Sequence, residues 1–349
     1  MVRSVILVPV SEKVGLTTVS LGLVNALEQT GVKVTFFKPV AEKTEGSDYA
    51  DLSTAILNET CNIPTIPPLD QNHAEKLIAS GNGDDLLEEV IARLEAHKND
   101  AQLIVVEGMV PNRDIAFANR FNLEIARTLG SKVVFVGTPG NHGAAEILER
   151  MEIAENYFGG KNGCTVSGCI INKIAADYDD AKNTPDIVSG IAPPTTVTRE
   201  QLEERFGNGE MKLLGAIPWN RAISAPRVSD LTQYLGAHCI NVGESQSRRI
   251  RNIKMYAAAL SQNEFTAGTF IVTPGDRNDV FVAAALASMN GVDIAGILLN
   301  DNRLPEPAIM ELCEEAMARG LPVLSTPADT WSTASALQNF NLSLAVDDF

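Results

Sequence analysis

The sequence predicts an α/β protein in which a parallel sheet is followed along the chain by a second, smaller α/β domain. Short apolar runs rich in β-branched residues recur, and a helical pattern follows each of them. This alternation stops near Pro218 and then restarts with shorter units. The 349 residues also exceed a typical single domain. Continuous apolar strands that alternate with helices are typical of parallel sheets covered on both faces.

The first predicted domain covers residues 1–221. Its predicted strands are residues 5–10, 33–37, 103–107, 132–136, 166–172 and 213–217. The clearest helical patterns between them are residues 17–29, 84–97 and 123–129. Residues 176–208 break the alternation with several Asp and Pro residues, which predicts an irregular surface insertion that carries a short charged helix near 200–205.

The second predicted domain is smaller and covers residues 222–340. Its predicted strands are residues 239–242, 269–273, 293–300 and 322–325, and its predicted helices are residues 248–260, 280–289, 306–319 and 330–339. Residues 341–349 read as a strand that leads into a linker. This ending predicts that the chain is the front part of a longer protein.

Composition excludes several classes of function. Lys and Arg total 28 against 44 Asp and Glu, so the formal net charge of −16 argues against nucleic acid and anionic membranes as partners. The five cysteines form no C-x-x-C pair, which predicts free thiols in a reducing compartment. The sequence has no signal peptide and no apolar run of about 20 residues, and it therefore predicts a cytoplasmic protein.

The loop after the first strand, PVSEKVGLTT at residues 9–18, resembles a phosphate-binding loop. A working loop reads G-x-x-x-x-G-K-[ST], in which the Lys neutralises phosphate charge and the Ser or Thr binds Mg²⁺. Gly15 and Thr17 are in register, but the first Gly is absent from the segment that begins at Pro9, and Leu16 replaces the Lys. We therefore expect nucleotide hydrolysis to be lost, with Lys13 as a partial substitute. A strand-to-helix turn that contains one Gly by accident remains the alternative.

Polar residues also follow later strands. Lys38 comes directly after the second strand, and Asp48 follows within the segment GSD. Glu107 ends an apolar strand, where its carboxylate would face a Mg²⁺ ion near the loop, although a solvated acidic residue is the simpler alternative. Asn172 and Lys173 end another strand, at the edge where a base or ribose would bind.

In this order, the segments resemble the dethiobiotin synthetase family over residues 2–220, which implies a P-loop NTPase-like parallel sheet. The resemblance places Thr17, Asp48 and Glu107 where that family has Mg²⁺ ligands, and Lys38 where it has a lysine near the reacting groups. The candidate nucleotide or effector contacts in this domain are Lys13, Gly15, Thr17, Thr18, Lys38, Asn172 and Lys173. The metal assignment holds only if Mg-nucleotide binding persists.

The second domain offers the turn GDRND at residues 275–279, which joins a strand to a helix. One interpretation is a capped turn, with Asn278 or Asp279 accepting from helix N–H groups. The other is an anion or metabolite site in which Asp276 and Arg277 contact the effector. The segment resembles the DRTGG domain, but it lacks the Thr-Gly-Gly end. A basic run at residues 248–254 is either a solvated face or a site for a phosphate-bearing or acidic partner.

Both parts together resemble the N-terminal half of the long-form bacterial phosphate acetyltransferase family. The stretches that carry this resemblance are VGLTTVSLGL, FFKPVA, VVEGMVP, LLGAIPWN, DVFVAAALASMNGV and TWSTASALQNFNL. In that family, a C-terminal acyltransferase domain interconverts acetyl-CoA plus phosphate with acetyl phosphate plus CoA. The N-terminal half is associated with regulation by metabolites such as NADH and pyruvate, and with stabilising a hexamer.

The resemblance therefore implies a regulatory and assembly module that is catalytically silent alone and has no catalytic residue of its own. Its implied partners are the acyltransferase domain of the same protein and further copies of the chain. No firm cofactor is implied, only a vestigial nucleotide or an allosteric metabolite. The alternatives are an autonomous ATP-dependent ligase related to dethiobiotin synthetase, and a free-standing metabolite sensor.

Overall fold

A computed structural model gives the fold of the chain. It describes residues 2–42, 51–59, 61, 63–97, 100–111, 117–140, 142–159, 163–175, 195–207, 209–219, 225–256 and 265–340. The described residues divide into two compact units, the first ending at Trp219 and the second within residues 225–340. Asp48 and the predicted linker at 341–349 lie outside the described residues.

The first unit is built on a sheet of seven parallel strands with the order β3-β2-β4-β1-β5-β6-β7. The strands are β1 Arg3–Pro9, β2 Val34–Phe37, β3 Thr65–Ile66, β4 Leu103–Glu107, β5 Lys132–Gly137, β6 Thr165–Ile174 and β7 Leu213–Pro218. The helices are α1 Leu16–Gln29, α2 Leu52–Glu59, α3 Gln71–Ala79, α4 Gly83–His97, α5 Ala118–Leu129, α6 Ala144–Phe158 and α7 Arg199–Gly207. All six predicted strands are confirmed, whereas the two-residue β3 was not predicted.

Apolar strands form the centre of this unit because helices cover the sheet on both faces. All four residues of β2 are buried, as are the last four of β1 and of β4. Since parallel strands share a direction, the ends of β1, β2 and β4 lie at the same edge of the sheet. The polar residues that follow these strands are therefore brought together there.

The short charged helix predicted near residues 200–205 is confirmed as α7, but the described C-terminal part of residues 176–208 packs on the core and is not the irregular surface insertion that the sequence predicts. Helix α7 buries Leu202 completely and Phe206 to 4% exposure, and Val197 before it is also buried. Leu202 and Phe206 are four residues apart, so both lie on the helix face that packs on the core. Residues 176–194 lie outside the described residues.

The second unit has a five-stranded mixed sheet with the order β8-β12-β11-β10-β9. The strands are β8 His238–Asn241, β9 Asn252–Met255, β10 Thr269–Pro274, β11 Gly296–Asn300 and β12 Val323–Ser325. Only β8 runs antiparallel to its neighbour, β12. The helices are α8 Val228–Leu235, α9 Asn278–Met289, α10 Pro307–Leu312, α11 Glu314–Ala318 and α12 Thr330–Asn339.

The predicted helix at residues 248–260 is wrong, because the described part of this segment forms β9 instead. Ile253 pairs with Phe270 in parallel register and is 8% exposed. The charged residues of the segment suit a helix locally, but pairing with β10 and burial of Ile253 outweigh this weak preference. The helix predicted at 306–319 is also interrupted, and Cys313 separates α10 from α11.

All five cysteines are free, as the sequence predicts. Among the described helices, none combines the length and the apolar character that crossing a bilayer requires.

The turn between β10 and α9 has no room for a side chain at Gly275. A Cβ added there would collide with the backbone carbonyl of Arg303. We expect Gly275→Ala to lower the free energy of unfolding of the second unit by about 3 kcal/mol, because backbone must move to make space. Denaturant titration combined with hydrogen exchange of the β10 and β11 amides measures this loss.

Gly291→Ala is the matched control, since nothing lies near an added Cβ but φ is +90°. Its cost arises only from the left-handed backbone and is about 1 kcal/mol. Equal losses in the two variants would show that the contact with Arg303 does not constrain the turn.

Candidate functional site

The β1–α1 loop, for which the sequence predicts a phosphate-binding loop, contains two residues with left-handed backbone. Gly15 adopts the left-handed conformation (φ 73°) directly before α1, and Lys13 is also left-handed (φ 57°). Leu16, which stands where the phosphate-loop motif has its lysine, points into the core and is 4% exposed. Thr18 is exposed on the first turn of α1. The position of the missing lysine is thus part of the apolar core of the first unit.

Asn172 and Lys173 at the end of β6 bind the loop itself. Asn172 Nδ2 donates to the carbonyl of Val14 at 2.9 Å, and Lys173 Nζ donates to the carbonyl of Lys13 at 2.8 Å. A Cβ on Gly15 would lie 2.6 Å from Asn172 Nδ2, so only glycine fits there. Asn172 and Lys173 are predicted from the sequence to contact a nucleotide. In the structure, both side chains donate hydrogen bonds to the loop. Burial, followed by repulsion from Lys13, lowers the pKa of Lys173.

Lys38 forms the centre of a buried cluster of charges, directly after β2. Its Nζ lies 3.1 Å from Glu42 Oε2, 3.0 Å from Asp51 Oδ1 and 3.1 Å from Glu107 Oε1. Lys38 and Asp51 are each 3% exposed, and Glu107 is 1% exposed. Since an ammonium group has three N–H donors, every donor of Lys38 has a carboxylate partner.

Two hydroxyl groups complete the cluster and join it to the loop. Ser53 Oγ donates to Glu107 Oε1 at 2.9 Å, and Thr17 Oγ1 lies 3.0 Å from Ser53 Oγ and 3.4 Å from Glu107 Oε1. The starts of α1 and α2 therefore meet the end of β4 at this point. The other oxygen, Glu107 Oε2, is buried and has no hydrogen-bond partner among the described residues.

The charges of the cluster act on one another. Burial by itself would lower the pKa of Lys38, but attraction by Glu107, Glu42 and Asp51 outweighs it and raises the pKa above its usual value. Burial pushes the pKa of Asp51 upward, yet Lys38 and hydrogen bonds from Thr54 hold it below normal. For Glu107, burial exceeds the effect of Lys38 and the pKa is raised. Lys38 is therefore a permanent cation at this position.

The backbone after Glu107 is fixed by Asn122 on α5. Asn122 is fully buried, accepts from Met109 N and donates to Met109 O, both at 2.8 Å. A Cβ on Gly108 would lie 2.7 Å from the carbonyl of Leu7 on β1, so this segment lies close against its neighbouring strand. Glu107 thus projects from a rigid strand end, where its carboxylate meets Lys38.

The structure brings together Thr17, Lys38 and Glu107 of the predicted site. Asp48, the third predicted Mg²⁺ ligand, lies outside the described residues. Sequence reasoning missed Asp51, whose carboxylate also accepts from Thr54 N at 2.9 Å and so caps the start of α2. An Asp three residues before a Thr at a helix start was the available signal.

The described cluster does not fit a Mg²⁺ ion while Lys38 is in place. Mg²⁺ takes about six oxygen ligands at roughly 2.0–2.1 Å. The Lys38 ammonium already holds the three carboxylates. Across the described part of the chain, no group of three or more His, Cys, Asp or Glu residues is arranged to hold a metal ion. The cluster, as folded, is held together by an internal cation that offsets part of its negative charge.

The charged side chains of the GDRND turn form ion pairs within the second unit. Arg277 donates from Nε and Nη2 to the two carboxylate oxygens of Asp279, each at 2.8 Å, and Asp276 forms an ion pair with Arg303. The hydrogen bond from Arg277 lowers the pKa of Asp279. Binding of an anion by Arg277 would thus compete with Asp279.

Two arginines of the basic run at 248–254 also form hydrogen bonds within the second unit. Arg248 Nε donates to Glu244 Oε2 at 3.0 Å, and Arg248 Nη1 donates to the carbonyl of Ile294. Arg249 Nη1 donates to the carbonyl of Ala225 at 3.2 Å. These arginines link neighbouring segments of the second unit, so the run is not simply a solvated face.

Removal of Lys38 should destabilise the first unit strongly. We expect Lys38→Ala to lower its free energy of unfolding by about 3–5 kcal/mol, because buried carboxylates lose their cation. Denaturant titration in metal-free buffer, with hydrogen exchange of β2 and β4, measures the effect.

Lys33→Ala is the matched control, because Lys33 is an exposed lysine directly before β2. It changes net charge equally, and its effect should stay within about 0.5 kcal/mol. Similar small losses in both variants would contradict the assigned role of Lys38.

Comparison with known proteins agrees with this two-part organisation. The AAA domain family matches residues 3–227, and the DRTGG domain family matches residues 230–340. The chain is 38% identical to phosphate acetyltransferase of Salmonella typhimurium over 356 residues, covering 100% of this chain and 49% of the relative. The Haemophilus influenzae enzyme is 39% identical over 354 residues, covering 100% of this chain and 50% of the relative. The chain thus spans about half the length of the curated relatives it matches.

Among solved structures, similarity extends to the septum site-determining protein MinD of Pyrococcus horikoshii in complex with Mg-ADP. The TM-score is 0.40 at 18% identity, covering 64% of this chain and 84% of MinD. The ATP complex of a Cyanothece McdA variant gives a TM-score of 0.39 at 16% identity, covering 64% of this chain and 86% of McdA. The seven-stranded parallel sheet and the two family matches establish the fold class. The chain belongs to the AAA domain family, continues into a DRTGG domain, and is similar along its whole length to the N-terminal part of phosphate acetyltransferases.

Proposed function

We propose that this chain is the regulatory and oligomer-stabilising N-terminal part of a phosphate acetyltransferase. The observation that carries the proposal is the identity of 38% over 100% of the chain to enzymes of which it covers only about half. In this proposal, the complete protein interconverts acetyl-CoA plus phosphate with acetyl phosphate plus CoA. Its acyltransferase domain follows the DRTGG domain in the same polypeptide.

The geometry of the first unit supports catalytic silence of this part. Leu16 is buried where a working phosphate loop has its lysine, so this position offers no cation to a transferred phosphate. Lys38 is committed to three carboxylates. These features favour a fold that is kept for binding and assembly.

The proposed ligand is an allosteric metabolite of the NADH or pyruvate class, or a nucleotide bound without hydrolysis. The left-handed loop residues Lys13 and Gly15 and the exposed Thr18 are the surface available for it in the first unit. Asp276 and Arg277 remain proposed effector contacts in the second, where a ligand would have to displace their present ion pairs. We further propose assembly as a hexamer, and a cytoplasmic location in keeping with the free thiols.

An autonomous ATP-dependent ligase is the alternative, and the contact of Thr17 with Glu107 at 3.4 Å is the observation that favours it. Leu16 and the engagement of Lys38 argue against it, because each removes a charge that such chemistry needs.

The purified chain should form no acetyl phosphate from acetyl-CoA and phosphate. Full-length phosphate acetyltransferase of Salmonella typhimurium, assayed in parallel, is the positive control. A chimera that joins this chain to the remaining half of that enzyme should be active and should respond to NADH or pyruvate. Turnover by the chain alone would refute catalytic silence, and a chimera without a metabolite response would refute the regulatory role.

Mg-ATP should not be hydrolysed by the chain, because the loop lacks its lysine. Calorimetry measures whether Mg-ATP still binds, and an assay of released phosphate measures whether it is hydrolysed. The two measurements together distinguish binding without hydrolysis from retained catalysis. Micromolar binding together with turnover would establish the ligase alternative. Leu16→Lys is not expected to restore hydrolysis, because the side chain at this position enters the core.

A further inference from the structure

We infer that the Lys38 ammonium takes the place of a divalent cation in the first unit, so that this site excludes metal while Lys38 is present and becomes a metal site when Lys38 is removed. The inference concerns the first unit by itself and does not rest on the proposed function. It accounts for a cluster of carboxylates that would otherwise be a buried excess of negative charge.

The surroundings of Lys38 Nζ are those of a bound cation. Three carboxylate oxygens lie 3.0–3.1 Å from Nζ, and they come from Glu42, Asp51 and Glu107. The hydroxyls of Thr17 and Ser53 contact the same Glu107 carboxylate. Three carboxylates therefore surround a single positive charge, and two hydroxyls contact one of these carboxylates. These oxygen atoms are the ligand type that Mg²⁺ and Mn²⁺ prefer, and once Lys38 is removed the carboxylates must move inward to bind such an ion.

A second observation indicates that one carboxylate oxygen of the cluster is available to a further ligand. Glu107 Oε2 is buried, in a residue that is 1% exposed, and has no hydrogen-bond partner within the described residues. A buried carboxylate oxygen without a partner is costly in a folded protein. An ammonium with three donors cannot satisfy it, since all three are directed to other oxygens, whereas a metal ion can accept more ligands.

The charge count leads to the same conclusion. One ammonium faces three carboxylates, so its single positive charge leaves two negative charges uncompensated when all three are ionised. A divalent ion in place of the ammonium would leave one. Removal of Lys38 should therefore raise the affinity for a divalent cation at this position.

Competition between Lys38 and metal has a consequence for ligands of the loop. Thr17 is the loop residue that a phosphate-binding site would use to hold Mg²⁺, and it is linked to Ser53 and Glu107 instead. A phosphate-bearing ligand at the β1–α1 loop would accordingly bind in the absence of a metal ion. Chelators should leave such binding unchanged.

Mn²⁺ titration of the whole chain, followed by the electron paramagnetic resonance signal of free Mn²⁺, tests the inference. Because the acidic surface binds Mn²⁺ weakly, the measured quantity is the difference in bound Mn²⁺ between matched variants. Wild type and Glu107→Gln should not differ. Lys38→Ala should gain one Mn²⁺ per chain over wild type, with at least about tenfold tighter binding than the surface background.

Two variants locate the gained ion. Lys38→Ala/Glu107→Gln should lose it, and Lys33→Ala, which removes an exposed lysine before the same strand, should not gain it. Mn²⁺ should also raise the denaturation midpoint of Lys38→Ala but not that of Lys33→Ala, because only the former has a site whose occupancy depends on folding.

A wild-type chain that binds one Mn²⁺ more than Glu107→Gln would overturn the inference, as would a folded Lys38→Ala variant that gains none. If Lys38→Ala is unfolded even with Mn²⁺ present, Lys38→Ala/Glu42→Gln replaces it, since it carries one charge fewer at the more exposed carboxylate. Gain or no gain of Mn²⁺ in that variant decides in the same way. If neither variant folds even with Mn²⁺ present, the inference is overturned, because a metal site formed on removal of Lys38 should stabilise the folded chain when Mn²⁺ binds.

Discussion

The first unit depends on one interaction, the buried contact of the Lys38 ammonium with Glu42, Asp51 and Glu107. These residues come from the end of β2, the segment after it, the start of α2 and the end of β4. Without the cation, burying three carboxylates close together would destabilise the folded state. With it, the ends of neighbouring parallel strands and the start of a helix are held at fixed positions around the β1–α1 loop.

The β1–α1 loop is held in place by contacts within the protein. Leu16 contributes to the core, while Asn172 and Lys173 hold the carbonyls of Val14 and Lys13. The shape of the loop depends on the left-handed Gly15 and on these hydrogen bonds, and the side chain at position 16 takes part only through the core.

In the second unit, the charged residues of the GDRND turn also bind other residues of the protein. Arg277 and Asp279 pair with each other, and Asp276 pairs with Arg303. These pairs are largely exposed and are worth little to stability. Displacement by a ligand is accordingly less costly here than at Lys38, so the two units differ in how open their polar groups are to a partner.

The sequence by itself determined the α/β class and the six longer strands of the first unit, because apolar periodicity is contained in neighbouring residues. It also identified Lys38 and Glu107 as polar residues at strand ends. Only the tertiary structure decided that β9 is a strand, that α7 packs on the core, and that Asp51 and Ser53 join Lys38. Those outcomes depend on contacts between residues far apart in the chain, such as Ile253 with Phe270 and Lys38 with Glu107. Local propensity carries no information about such contacts, since the partner is supplied by the fold.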